Sequence, residues 1–530
     1  MKKYLMPALV VLGVLVGLLT GLTIAKKQDS QPLGNYGQLP MQGSSIDETL
    51  FYLQTYYVDT LNIDSINEVA LKQIITTLDP HSDYIPAKDL DDFNSDFEGS
   101  FSGIGVQFNI QNDTVCFVGV VSGGPSEAVG ILNGDKLIKV NDSTFVGKQI
   151  NNEKVMHTLR GEKGTEVKLT VLRNGTDEPL DFTVVRGDIP LHSVVAKFML
   201  NQQVGFIKLD KFSSNTYDEF IDALAGLRAS GAKSYIIDLR GNPGGLLDQA
   251  VSICNEFLQR GDMIVYAQGS RYPYAASTAN GAGRFKNVPL VVLVDEYSAS
   301  ASEIFSGAMQ DNDRATIIGR RTFGKGLVQQ VFPLSNKAAV KLTVARYYMP
   351  SGRCVQKPYK MGDQIDYMTE LYDRYSNGEI YTQDSVKEDS TVYRTKSGRI
   401  VHGGGGVMPD IFVGADTTYF TDFYKKALNK NLLYQYAYRY TDRHRQQLNA
   451  YTTWQKLEQY LLSQPLLDGF AAYAKTKGIE PQQGELATCG KQLERTIRLY
   501  IIRNILNDEG FYPLYMRDDD MVLRALQELK

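Results

Sequence analysis

Along the middle of the chain, short apolar runs bounded by small and polar residues alternate with stretches in which apolar residues recur every three or four positions. The runs at 204–209, 235–239, 290–294 and 315–318 read as strands. Between them the spacing predicts helices over 246–257, with Leu247, Ala250, Val251 and Cys254 on one face, and over 301–311, with Ile304, Phe305 and Ala308 at helical spacing. Strands alternating with helices argue for an α/β core with crossover connections. The pattern changes on both sides of this core. Residues 46–93 carry helical periodicity through Leu50, Leu53, Tyr56 and Tyr57, then Val69, Leu71, Ile74, Ile75 and Leu78. Further on, short alternating strands with glycine turns surround one helix at 151–160, and Arg186-Gly187-Asp188-Ile189-Pro190 marks the return to the core. From 417 to 530 the chain is helical and tyrosine-rich, with Leu432, Leu433, Tyr436 and Tyr440, and later Leu493, Ile497, Tyr500 and Ile501, forming stripes that read as core.

The N-terminus differs from all of this. Residues 4–25 are a continuous, nearly uncharged stretch bracketed by Lys2-Lys3 and Lys26-Lys27, close to the roughly 20 residues that span a bilayer. The stretch reads as an export signal kept as an anchor, because it exceeds a cleavable signal core of roughly 7 to 15 residues. The expected partner of this segment is the membrane, with the rest of the chain outside the cytoplasm in a bacterial cell envelope. The 530 residues hold three or four domains, which divide as 1–27 anchor, 28–45 linker, 46–92 helical region, 93–186 small β-rich domain, 187–416 α/β core with an insertion at 357–406, and 417–530 helical region. A formal charge of −4 without a basic stripe gives no reason to expect nucleic acid as a partner. Cys116, Cys254, Cys354 and Cys489 have no metal-ligand spacing, and Cys116 and Cys254 fall on apolar elements as buried thiols. No metal or other cofactor is implied.

Candidate chemistry sits at one strand end. The strand 290–294 feeds the turn Asp295-Glu296-Tyr297-Ser298-Ala299-Ser300, so Ser300 stands at the N-terminus of the helix 301–311, where free N–H groups favour a developing oxyanion. A serine hydroxyl needs a base. Of five histidines, His157, His192, His402 and His444 are not placed for the task, and His81 in Leu78-Asp79-Pro80-His81-Ser82 reads as a turn residue. Lys325 lies twenty-five positions after Ser300, in Thr322-Phe323-Gly324-Lys325-Gly326, between Phe323 and Leu327-Val328. Burial there would bring its ammonium down from about 10.4 toward neutrality. On spacing alone, helix-capping serines and a solvated lysine remain an equal alternative. A second turn, Asp238-Leu239-Arg240-Gly241-Asn242-Pro243-Gly244-Gly245, lets backbone N–H groups approach a substrate, while Asp238 and Arg240 read as an ion pair that fixes it.

These motifs together resemble the carboxyl-terminal processing peptidases, or tail-specific proteases, over most of 46–413. The resemblance implies Ser300 as nucleophile, Lys325 as general base, and Gln329 as the residue orienting the lysine. It also implies a Clp protease/crotonase-like arrangement of the core. The oxyanion hole is expected from Ala301 with Gly244 or Gly245. Upstream, Phe101-Ser102-Gly103-Ile104-Gly105-Val106-Gln107-Phe108 and the later Gly134-Asp135-Lys136-Leu137-Ile138-Lys139-Val140-Asn141 resemble a PDZ domain. Gly103, Ile104, Gly105 and Val106 can then point amides at a substrate's terminal carboxylate, and the next strand can pair with its tail. The implied partners are proteins or peptides with free apolar C-termini, and terminal helices could assemble a homodimer.

Two positions stand apart. Arg186, at the junction after the PDZ-like segment, is a candidate regulatory contact to the protease body. Residues 357–406 depart from the family pattern by intervening before Val407-Met408-Pro409-Asp410-Ile411; they end in a hairpin turning at Ser397-Gly398. The overall expectation is an exported serine endopeptidase that acts by acyl transfer. A non-catalytic PDZ scaffold on a protease-like body is the alternative. A Ser-His-Asp hydrolase would need a histidine near Ser300, and the Gly-x-Ser-x-Gly elbow common in that class is absent.

Overall fold

The computed structural model describes residues 44–530 apart from 122, 177, 363 and 386–390. The expected membrane segment therefore lies outside the described residues; among these, no helix is long and apolar enough to cross a membrane. The chain falls into two compact units, one ending at Leu71 and one spanning Lys72–Lys530. In the first, the helix Ser45–Tyr56 opens where the Asp47 carboxylate accepts the Ser44 N–H at 2.8 Å, and no residue of that helix is buried.

The second unit is built around a six-stranded sheet in the order Val194–Met199, Val204–Leu209, Ser234–Asp238, Leu290–Val294, Thr316–Gly319, Ile411–Phe412. Only the first pairing is antiparallel. The strands fall where the apolar runs place them, with Ser234–Asp238 and Thr316–Gly319 shifted by a residue. Every residue of Ser234–Asp238 and Leu290–Val294 is buried, as parallel strands covered on both faces require. The helices Leu247–Phe257 and Ala301–Asp311 pack their apolar faces into one core with Phe212, Phe220, Ile237 and Val292.

A second, antiparallel sheet carries the strand that follows Lys325. Leu327–Pro333 pairs with Ala339–Tyr348, which also pairs with the short edge strand Asp83–Ile85 and with Met263–Gln268. Pairing of residues 83–85 with Ala339–Lys341 brings a segment from far upstream beside the strand that follows Lys325. The small β-rich domain closes six strands, from Val106–Gln111 to Leu180–Val185 with the two-residue Ser143–Thr144 beside Lys136–Val140, and the helix Asn152–Leu159 over Val115, Phe117, Leu137, Val155 and Leu169. Its entry and exit form a ribbon, Ser100–Gly103 against Gly187–Pro190.

The C-terminal region is helical as expected, with its own core of Phe423, Leu433, Leu457, Phe470 and Leu493. Its last helix, Asp520–Glu528, sets Met521, Val522 and Ala525 against Phe206, Ile236 and Leu293 of the main sheet. All four cysteines are free, and Cys116, Cys254 and Cys489 are buried.

Candidate active site

Ser300 caps the helix Ala301–Asp311 with φ 55° and ψ −113°. For a residue with a Cβ this is a sparsely populated conformation that costs about 1–3 kcal/mol and persists only where the surroundings impose it. Those surroundings are specific: the Ala299 N–H donates to Asn242 O at 3.0 Å, and Phe323 N–H donates to Ser298 O at 3.0 Å. The sequence lacks the glycines of a nucleophile elbow, yet the backbone is bent at the serine all the same.

Glu303, fully buried on the first turn of that helix, joins the two halves of the site. Its Oε2 accepts the Ser300 N–H at 2.9 Å and the Lys325 N–H at 2.8 Å; its Oε1 accepts the Gly324 N–H at 2.7 Å and the Thr322 hydroxyl at 2.5 Å. Burial raises its carboxyl above the ordinary value, and these hydrogen bonds oppose the rise. Because one oxygen holds both amides, the serine and lysine backbones are neighbours.

Lys325 is half-buried. Burial, with a smaller contribution from Lys341, pushes its ammonium down to about 8, while Glu303 and Asp79 pull the other way. Among the described residues no hydrogen bond joins the Ser300 hydroxyl to the Lys325 ammonium. Gln329 donates to Thr343 Oγ1 at 3.4 Å rather than to the lysine. Thr343 Oγ1 in turn donates to Asp79 at 3.0 Å, and Asp79 also accepts from Ser82 and from the His81 N–H.

His81, read from sequence as a turn residue, lies in a turn but close enough to Lys325 to feel its charge. Burial and that charge bring the imidazole down to about 3, and its Nε2 is 2.8 Å from the Tyr367 hydroxyl. Asp79, His81 and Glu303 are the residues missed in sequence. Only Glu303 left a local signal, the Ser-x-x-Glu spacing of a capping box.

The glycine turn lies against the serine. A Cβ on Gly244 would stand 2.7 Å from Ser300 Cβ and 2.8 Å from Ala301 N. The Gly244 N–H, however, donates to Asn242 Oδ1 at 2.8 Å. Among the described residues the amides of Gly245 and Ala301 donate to no other group. Arg240 pairs with Asp238 as expected, at 2.7 Å, and also holds Asp519 of the C-terminal region at 2.8 Å.

In the β-rich domain a cavity of about 290 Å³ is lined by Phe101, Gly103 to Phe108, Met156, Leu159 and Arg160. It contains all four residues expected at a substrate C-terminus. Gly105, at φ +74°, makes the turn, and among the described residues the Ile104 and Gly105 amides have no acceptor. The hydrogen bonds of Arg186, expected at the protease body, stay within the β-rich domain. Its Nε donates to Leu159 O at 3.1 Å, its Nη2 to Thr158 O at 2.9 Å and its Nη1 to Thr165 Oγ1 at 3.0 Å, so it caps the helix that lines the cavity.

An α/β core with a strained serine at a strand end is joined to a β-rich domain with a cavity at its glycine turn, and the family matches make this a peptidase that carries a PDZ module. Residues 203–366 match peptidase family S41, residues 102–184 match the PDZ domain, and residues 423–507 match a family of unknown function. The chain is 34% identical to a carboxy-terminal-processing protease of Bartonella bacilliformis, over 57% of this chain and 70% of that one. It is 36% identical to a carboxyl-terminal-processing protease of Synechocystis, over 56% and 70% of the two chains. Among solved structures it is similar to a photosystem II D1 C-terminal processing protease, at 24% identity and a TM-score of 0.38, covering 71% of this chain and 88% of that one. The chain belongs to the carboxy-terminal processing proteases of peptidase family S41, and it is a serine-type endopeptidase.

Proposed function

We propose that this peptidase cuts protein substrates by acyl transfer on Ser300, with Lys325 as general base. The carrying observation is the buried Glu303 carboxylate, which ties the backbone of a strained, helix-capping serine to that of a partly dehydrated lysine. The neutral Lys325 amine takes the hydroxyl proton as Ser300 Oγ bonds to the scissile carbonyl carbon. The oxyanion is received by the amides of Gly245 and Ala301, with Gly244 serving to let the turn approach the serine. Collapse of this adduct breaks the C–N bond, and the leaving amine takes the proton from the lysine ammonium. Water then attacks the acyl-enzyme, with Lys325 again accepting the proton; collapse of this second adduct breaks the ester bond to Ser300 Oγ, which takes that proton back as the carboxyl product leaves. Gln329 serves as a second orienting group once substrate closes the site. The cavity at Gly103, Ile104, Gly105 and Val106 receives a free apolar C-terminus, and the 4–25 segment supports export and anchoring of this body outside the cytoplasm.

The test is a comparison of Ser300→Ala, Lys325→Ala, the double variant and His81→Gln on an unstructured substrate. Each dyad variant should lower kcat/KM by about 10⁴-fold or more, with the double little worse than either single, since the two groups act as a unit. His81→Gln should keep most activity, because an imidazole neutral down to about 3 and bound to Tyr367 is a poor base. A His81→Gln loss equal to that of Ser300→Ala, with Lys325→Ala active, overturns the dyad.

A further inference from the structure

The stretch from Arg321 to Gly326 that carries Lys325 has no helix or strand of its own. Its polar groups must therefore be satisfied from outside. Much of that service comes from the insertion. The helix Gln364–Ser376 lays Tyr367, Glu370 and Arg374 against it at successive turns. Arg374, only 1% exposed, donates Nη1 to the carbonyls of Thr322 at 2.8 Å and Arg321 at 3.3 Å, and Nη2 to that of Phe323 at 3.1 Å. A planar guanidinium with five fixed donors can hold three carbonyls at once; an ammonium, a compact point charge, cannot reproduce that fork. Its remaining Nε–H goes to Glu370 at 2.8 Å.

The flanking contacts keep that fork in place. Glu370 also takes the Lys357 ammonium at 2.9 Å and Arg321 at 3.3 Å, and Arg321 pairs with Glu379. The Lys357 ammonium lies 4.1 Å from the Phe323 ring centroid and 4.2 Å from that of Tyr367. Past the lysine, the Gly326 N–H donates to Gln356 Oε1 at 2.8 Å.

We propose that Arg374 is a positioning residue for Lys325: by gripping the three carbonyls ahead of it, the insertion fixes how deeply the lysine is seated beside Ser300. This rests on the reading of Lys325 as base. The charged groups facing Lys325 are Glu303 from the serine helix, Asp79 from the upstream segment and Lys341 from the paired strand, with the imidazole of His81 beside them. Arg321, Lys357, Glu370, Glu379 and Arg374 stand behind the loop. Burial dominates over all of these and holds the lysine at about 8. A loosened loop admits water and lets that value climb.

The experiment uses the full chain with Arg374→Lys and, as a milder variant that keeps side-chain size, Glu370→Gln, each confirmed folded by a thermal melt. The rate at which a fluorophosphonate probe labels Ser300 is followed from about pH 6 to about pH 10. The expected result for Arg374→Lys is an inflection about one pH unit higher, with labelling at pH 7 down about tenfold and nearly recovered at the alkaline end. Glu370→Gln should move the same way by less. A merely structural role would scale the rate equally at every pH, so an unshifted inflection in both variants overturns the proposal. Lys325→Ala separates the two failures. Wild-type labelling by Lys325→Ala sinks the dyad itself; a silent Lys325→Ala with an unshifted Arg374→Lys sinks only the role of the insertion.

Discussion

The turn that carries Ser300 and the loop that carries Lys325 are held in opposite ways. The serine turn is braced by regular elements, a buried strand before it and a helix whose every residue is buried after it, with the Asn242 carbonyl and the Phe323 amide holding the five residues between. The lysine loop is irregular and is held by groups from elsewhere, among them Glu303, Ser298, Gln356 and Arg374. Regular structure on both sides fixes Ser300, the proposed nucleophile, whereas Lys325, the proposed base, is seated by an environment drawn from several segments. Glu303 is where the two arrangements meet.

The largest effect that tests this contrast is therefore at Glu303. Glu303→Gln replaces one accepting oxygen by a donor, so either the Ser300 and Lys325 amides or the Gly324 amide and Thr322 hydroxyl lose their acceptor. Stability should fall by about 2–4 kcal/mol and kcat/KM by about 10²- to 10³-fold. The sign of the pH effect is opposite to that at Arg374. Glu303 favours the charged lysine, so removing its charge should carry the inflection of the remaining activity below about 8. Thermal melts and a pH–rate profile read both quantities. Wild-type kcat/KM in a folded Glu303→Gln protein would show that the shared carboxylate does not align the loops.

How much was legible in the sequence follows the same division. Leu290–Val294 and Ala301–Asp311 could be read because burial on both faces of a strand, and of a helix wedged behind it, leaves a continuous apolar signature. The surroundings of Lys325 could not, since Asp79, His81 and Arg374 are ordinary polar residues far away along the chain. The insertion helix was hidden for a further reason: its apolar Ile365, Met368 and Tyr372 are 77%, 63% and 73% exposed while Arg374 points inward, so its pattern is inverted. Gln329 was read from the family motif as the lysine's orienting partner, and its side chain instead reaches Thr343.

An intermediate effect separates the two glycines beside the serine. A Cβ on Gly245, at φ +141°, would lie 2.0 Å from the Phe212 carbonyl oxygen, a backbone atom with nowhere to go. Gly245→Ala should cost about 3 kcal/mol through backbone displacement and strain. The Cβ of Gly244→Ala would meet its nearest atom, the Ala299 carbonyl oxygen, less closely, at 2.6 Å, and would press on Ser300 Cβ and Ala301 N. Its main effect should be on kcat, by about 10²-fold through misplacement of the nucleophile, with the larger melting change reserved for Gly245→Ala. The reverse ranking in a paired measurement of Tm and kcat would mean that the serine turn is less tightly set by its neighbourhood than the packing indicates.

The smallest effect concerns Arg186, which the sequence placed as a contact to the protease body. Its donors all stay inside the PDZ module, at the last carbonyls of the helix Asn152–Leu159 and at Thr165 and Glu166. A cation at a helix C-terminus satisfies orphan carbonyls and complements the dipole, a contribution of about 0.3–1 kcal/mol at a partly exposed site. That helix supplies Met156 and Leu159 to the tail cavity. Arg186→Ala should therefore loosen the cavity wall and raise KM about two- to fivefold for a substrate with a free apolar C-terminus, in proportion to that energy. For the same substrate with an amidated terminus, already a weak tail ligand because the Ile104 and Gly105 amides lose their carboxylate, the variant and the wild type should differ little. On a short peptide that cannot reach the cavity, kcat should be unchanged. A fall in kcat on the short peptide would restore a link between this arginine and the protease body that its hydrogen bonds do not provide.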